Sequence, residues 1–245
     1  MTTSIASTPE RVWVDIDRAA LIANARTLAA SARVPLLPMI KADAYGLGAI
    51  EVARTLDPLD PWGFGVATLD EASALRAAGV IRPIIVFTPV APEQVARHRA
   101  LGLRPLIGDV PALEAWMHAG HEPFHIGVDT GMGRVGFHWR DRGLQAAVAD
   151  RLRDATGWEG IATHFHSADV DPDATALQWR RFEEWITALP RRPKIVHAAN
   201  SAATLRGTAY AGDMVRPGIF IYGGEVGPWA PAPRPVATLR CRVVA

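Results

Sequence analysis

The strongest constraint on the fold is an alternation of short apolar runs with helix-like stretches. Eight such runs lie at residues 36–40, 63–67, 83–87, 103–107, 124–128, 160–164, 194–197 and 214–222. Each has the length and near-continuous hydrophobicity of a strand buried on both faces. Between them, apolar residues recur at helical spacing, as in Leu21, Ala25, Leu28 and Ala32, or Trp179, Phe182, Ile186 and Leu189. Thr68 with Glu71 reads as a capping box that starts one helix, and Gly79 as its stop. Eight β-then-α units without an intervening linker fit a (β/α)8 TIM-type barrel better than an open doubly wound sheet, which usually has fewer strands.

Two strand-like segments lie outside this count. Val12–Ile16 precedes the first unit, and residues 236–244 (V-A-T-L-R-C-R-V-V) follow the last after a stretch holding Pro228, Pro231, Pro233 and Pro235. A lone terminal strand needs a partner, and a two-stranded ribbon is marginal in water. The expected organisation is an N-terminal strand in residues 1–17, a barrel over 18–230, and over 231–245 the first strand of a truncated C-terminal β domain.

Composition narrows the partners. Across 245 residues, 26 Lys+Arg stand against 25 Asp+Glu, and the basic residues are scattered. That leaves no footprint for nucleic acid or an anionic membrane surface. A single cysteine, Cys241, allows neither an intramolecular disulfide nor a cysteine metal site. No apolar run approaches the roughly 18 residues of a membrane span. With no charged-then-apolar leader, the expected location is the cytoplasm.

Barrel chemistry belongs at the C-terminal ends of strands. There the chain places Lys41, then Asp129 and Arg134, then His164, then Asn200 and Ser201, and finally Arg216. Singly, each has a plain structural explanation. A strand-end lysine is commonly ion-paired, Asn200 or Ser201 can be a helix N-cap, and His164, His166 and Asp169 lack a further convergent metal ligand. Together they are complementary. Ser201 opens a short helical segment whose free N–H groups favour phosphate, and Gly218 permits close backbone approach. A lysine across from such a cradle suits pyridoxal 5′-phosphate (PLP), whose aldehyde condenses with an amine.

Five motifs, K-A-D-A-Y-G, D-T-G-M-G-R-V-G-F, T-H-F-x-S-A-D, H-A-A-N-S-A-A-T-L and M-V-R-P-G-I-x-x-Y-G, occur in that order, and from Val12 onward the chain resembles bacterial alanine racemase. The resemblance implies a PLP enzyme interconverting L- and D-alanine for peptidoglycan, and a homodimer in the full-length family. It implies that Lys41 is the PLP lysine and the base on one face of the substrate. It assigns Tyr45, Ser201, Gly218 and Ile219 to the phosphate, with Asn200 beside them. His164 would pack on the pyridine ring, and Arg134 would meet the substrate carboxylate. Arg216 would face the ring nitrogen. Because a guanidinium only donates, that nitrogen would stay unprotonated and the cofactor would be a weaker electron sink. Proton return to the α-carbon would then be favoured over transamination. No metal is expected.

The chain departs from the family pattern in three places. The family's second acid is a tyrosine from the C-terminal domain of the partner subunit; the tyrosines here are Tyr45, Tyr210 and Tyr222, and none lies in a matching motif. Gly127 stands where the family commonly has a modified lysine bracing Arg134, and Leu47 where it commonly has histidine. The 245-residue chain is therefore expected to bind PLP and racemise poorly. Two other readings are a non-catalytic PLP-binding barrel that handles the cofactor, and a racemase of another amino acid.

Overall fold

The structure, a computed structural model, describes residues 11–243. The expected terminal segments 1–17 and 231–245 fall partly outside it, at residues 1–10 and 244–245. Six parallel strands run in the order β2 (Phe64–Val66), β3 (Ile84–Val86), β4 (Arg104–Ile107), β5 (Phe124–Asp129), β7 (Trp158–Ala162) and β8 (Ile195–His197). All three residues of β2 and of β3 are buried, as expected where helices cover one side of a sheet and a packed interior fills the other.

The first and eighth expected strands close the barrel without forming continuous ladders. Residues 36–39 bond on one side to β2 (Gly65 N–H to Pro38 O, 2.9 Å) and on the other to the last segment (Leu37 N–H to Val215 O and Met39 N–H to Pro217 O, both 2.8 Å). That last segment reaches β8 through Asp213 N–H to Val196 O, 2.8 Å. Pro35, Pro38 and Pro217 remove donors here, so only isolated bridges such as Leu36 to Val215 survive. The expected run 214–222 is corrected in its second half. Ile219–Tyr222 is a turn of 3-10 helix, because Gly218 bends the chain and Ile221 N–H closes onto Gly218 O. One strand was not anticipated: β6 (Phe137–His138) folds back parallel to β5.

The helices follow their sequence signals closely. Helix α1 (Arg18–Ala32) starts where Asp17 accepts from Ala20 N–H and buries Leu21, Ala25, Leu28 and Ala32. The Thr68/Glu71 capping box opens α4 (Leu69–Ala77). Helix α8 (Pro172–Thr187) buries Gln178, Phe182 and Trp185, so its inner face is rotated from the expected stripe, and Leu189 lies beyond its end. The barrel interior is filled by Leu37, Ile85 and Met214 with Trp62, Phe87 and Ile195, and the larger core lies between strands and helices.

Val12–Ile16 (β1) pairs antiparallel with Ala237–Cys241 (β9) in a separate two-stranded sheet, with Val12, Val14 and Leu239 exposed. Asn24 ties this end of the chain to the barrel. Its amide donates to Ile221 O (3.2 Å) and Arg234 O (2.9 Å) and accepts from Arg234 N–H (2.8 Å). Asn24→Ala would leave these buried groups unpaired and is expected to lower stability by about 2–3 kcal/mol, measured by urea unfolding.

Candidate active site

A cavity of about 740 Å³ opens at the C-terminal mouth of the barrel. Lys41, Tyr45, Arg134, His164, Asn200, Ser201, Arg216, Gly218 and Ile219, separated by up to 178 positions in sequence, all line it. They arrive on five segments of the chain, each at the end of a different strand position of the same parallel barrel.

Lys41 begins the short element α2 (Lys41–Gly46), in which Ala42, Asp43, Ala44 and Tyr45 have φ between 51° and 58°. This is one left-handed turn, a conformation that costs about 1–2 kcal/mol per residue for L-amino acids. Side chains hold it in place. Glu71 Oε1 accepts from Ala42 N–H (2.7 Å), and Asp43 Oδ1 accepts from Ala49 N–H (2.7 Å). Glu71 Oε2 also accepts from Ala67 N–H (2.7 Å), so one carboxylate clamps the ends of two strand segments around the lysine. Among the described residues the Lys41 amine has no hydrogen bond or ion pair.

Tyr45 stacks on Tyr222 with ring centroids 4.6 Å apart, and the Tyr222 hydroxyl donates to Met39 O (2.8 Å). Burial pushes both phenols up, Tyr222 the further. A Cβ on Gly218 would lie 2.4 Å from the Tyr45 hydroxyl oxygen, so only glycine leaves that corner open. Ser201 Oγ accepts from Gly218 N–H (2.9 Å) and Phe220 N–H (3.3 Å), which leaves its own O–H free to donate outward. Asn200 is the N-cap of α9 (Ser201–Leu205), accepting from Ala203 N–H.

Arg216 is buried and held by carbonyls: Nη1 donates to His197 O (2.7 Å) and Nη2 to Thr163 O (2.7 Å) and Ala198 O (3.1 Å). Burial lowers it to about 9, which still leaves it cationic at neutral pH. Nη2 lies 3.4 Å from His164 Nδ1. Burial first, then the charges of Arg216, Arg134 and Lys41, hold His164 down to about 3, so its ring is neutral. Arg134 rides on a loop folded around Asp129, whose Oδ1 accepts from Gly131 N–H (3.0 Å) and Gly133 N–H (3.1 Å). Its guanidinium has no partner among the described residues. Gly127 and Leu106 line the same cavity.

Several contributors carried no sequence signal of their own. Gln178 of α8 donates to His164 O (3.0 Å) and Thr130 Oγ1 (3.3 Å) and accepts from His166 N–H (3.1 Å), bracing the loops of Arg134 and His164. His197 partners Arg216 but sits in an apolar run that reads as core. Glu71 was legible as a cap, not as a clamp on the lysine turn. Among the described residues no group of three His, Cys, Asp or Glu side chains could hold a metal ion.

An amine at the end of the first strand, a neutral imidazole, two guanidiniums and a glycine-serine corner in one barrel mouth define a class: barrels that can hold an anionic, carbonyl-bearing cofactor beside an anionic substrate. The comparisons give the family. The model described as alanine racemase, N-terminal domain, matches residues 16–226, and the chain belongs to that family. The alanine racemase of Latilactobacillus sakei is 37% identical over 200 residues, 77% of this chain and 52% of that protein. The chain spans a little over half the length of such relatives. The structure of Bacillus anthracis alanine racemase with bound L-Ala-P superposes with a TM-score of 0.83 at 30% identity, covering 96% of this chain and 64% of that one. The Bartonella henselae alanine racemase with covalently bound pyridoxal phosphate gives 0.87 at 27%, covering 96% and 67%.

The depressed His164 sets a pH dependence. Its folded pKa of about 3 lies below the unfolded value of 6.5, so the unfolded chain takes up a proton first as the pH falls. Stability is expected to drop between pH 6.5 and 3. His164→Asn should flatten that slope by about 1.4 kcal/mol per pH unit, read from urea unfolding at a series of pH values.

Proposed function

We propose that this chain is the PLP-binding barrel of an alanine racemase, interconverting L- and D-alanine. The observation that carries the reading is the convergence of Lys41, His164, Arg216 and the Ser201–Gly218 corner on one cavity at the strand ends. The residues fit the cofactor. The amine has no partner among the described residues, Gly218 carries no side chain to crowd the Tyr45 hydroxyl, and three cationic side chains, Lys41, Arg134 and Arg216, face a space suited to a phosphate and a carboxylate.

PLP supplies a carbonyl that links to an amino acid and an electron sink that acidifies its α-hydrogen. On this reading Lys41 anchors the cofactor and moves a proton on one face of the substrate. The Ser201 hydroxyl and the free N–H groups at the start of α9 bind phosphate, with the Tyr45 hydroxyl at the same corner and Ile219 and Asn200 beside it. His164, kept neutral, packs on the ring without adding charge. Arg216 can only donate, so it holds the ring nitrogen unprotonated and limits how far charge spreads into the ring. Arg134, which has no partner among the described residues, meets the substrate carboxylate.

The same reading organises the rest of the chain. The β1–β9 ribbon is the start of a second β domain, the barrel lies over residues 18–230, and the working protein is a cytoplasmic homodimer whose product enters peptidoglycan. Tyr45, the one tyrosine among the described cavity-lining residues, sits at the phosphate corner on this reading and is not assigned to the opposite substrate face.

Purified chain incubated with PLP and reduced with borohydride should carry the cofactor on the peptide containing Lys41, seen by mass spectrometry. Lys41→Ala should lose that label and the visible absorbance of the bound cofactor; labelling elsewhere would overturn the lysine assignment. With L-alanine in D2O, the 245-residue chain should show little D-isomer by chiral derivatisation. Fast inversion would show that a second acid acts within the barrel.

A further inference from the structure

A chain of polar side chains runs through the barrel interior, and the proposed reaction uses only its first member. Arg216 Nη1 donates to His197 Nδ1 at 3.0 Å. His197 Nε2 lies 2.8 Å from His125 Nδ1, and His125 Nε2 lies 3.2 Å from Glu159 Oε2. Arg104 Nε reaches the same carboxylate oxygen at 2.7 Å. Arg104 opens β4, Glu159 and His125 are second in β7 and β5, and His197 ends β8. The chain thus crosses from the N-terminal mouth of the barrel to the floor of the cavity.

Its placement is built into the packing. Both imidazoles are fully buried. A Cβ on Gly160 would lie 2.3 Å from His125 Nδ1, so the ring fits only because β7 has glycine there. Trp62 packs edge-on against His125 with centroids 6.0 Å apart, and Phe87 against His197 at 6.5 Å. Arg104 lies over the Trp62 ring at 5.3 Å. Burying two imidazoles unpaired would be costly, so the hydrogen bonds between them are obligatory.

The two ends leave the middle a single arrangement. A guanidinium only donates and a carboxylate only accepts. Burial would raise Glu159, but the hydrogen bonds from His125 and Arg104 outweigh it and hold it ionised, at about 2. Burial first, then the Arg216 charge, keeps His197 neutral; burial likewise lowers His125 against the pull of Glu159. His197 must therefore accept at Nδ1 and donate from Nε2, and His125 must do the same. From Arg216 through His197 to His125 each linking N–H points away from the cavity toward Glu159, and no carboxylate touches Arg216 directly among the described residues.

We propose that His125 and Glu159 are positioning residues, which fix the tautomer of His197 and through it the orientation of the Arg216 guanidinium at the cavity floor. The tautomer order stands independently of the cofactor; its consequence for a bound pyridine nitrogen rests on the PLP reading. Hydrogen bonds in series polarise one another, so a change at Glu159 should be felt at His197 without any contact between them.

The test is nitrogen and proton NMR of the cofactor-free full chain labelled at histidine. In the wild-type chain at neutral pH, His125 and His197 should each be protonated at Nε2 and bare at Nδ1. In Glu159→Gln the amide oxygen is a weaker acceptor than the carboxylate. The Nε2–H protons of both histidines should then move upfield together. A wild-type histidine of this pair protonated at Nδ1 would overturn the proposal with no variant needed. So would a Glu159→Gln spectrum in which the His125 signal moves and the His197 signal does not. Failure of the wild-type chain to take up PLP is a separate result, which would sink the functional reading and leave the tautomer order standing.

Discussion

The site depends on the closure of the barrel between its first and last segments. Leu37 and Met39 donate to the carbonyls of Val215 and Pro217, each at 2.8 Å. These bonds join residues nearly 180 positions apart in the chain, so they set the loop-closure entropy that the buried core must offset. They also bring the Lys41 turn beside the Arg216–Gly218 segment. Prolines in both segments thin the ladder, which leaves the backbone there irregular enough to turn left-handed after Lys41 and to break into a 3-10 turn after Gly218. The Tyr222 hydroxyl on Met39 O and the Tyr45–Tyr222 stack then lock the two irregular segments together.

Charge is the second organising constraint. Lys41, Arg134 and Arg216 face one cavity, and the ring among them, His164, is forced neutral. A cavity so arranged favours anions. Arg216 is the extreme case, a buried cation satisfied by carbonyl dipoles and one imidazole. The interior tolerates it because Nη1 and Nη2 are both hydrogen-bonded, and the line through His197 and His125 ends on an ionised carboxylate at the other mouth. Loops that carry the site are braced from outside the barrel, Glu71 on the Lys41 turn and Gln178 on the loops of His164 and Arg134.

Much of this was legible in the chain. Apolar runs at regular spacing gave the strands, and capping chemistry at Thr68 and Asn200 gave two of the helix starts. The strand-end residues gave the cavity lining, because in a parallel barrel sequence position after a strand maps onto the same mouth. The misses have physical causes. The run 214–222 is apolar apart from Arg216, but Pro217 and Gly218 override its strand propensity. The inner face of α8 is set by Gln178 and Trp185, whose partners lie on other elements. His125 and His197 read as core residues, and nothing local distinguishes a packed histidine from one linked to another 72 positions away.

Sequence alone determined the barrel, the cofactor chemistry its strand ends could support and the family resemblance, because these follow from periodicity and from residue types at fixed offsets. Tertiary structure decided which groups are charged, which way the donors point and how the lysine turn is held. Those properties depend on burial and on partners far away in the chain. A one-dimensional pattern specifies neither.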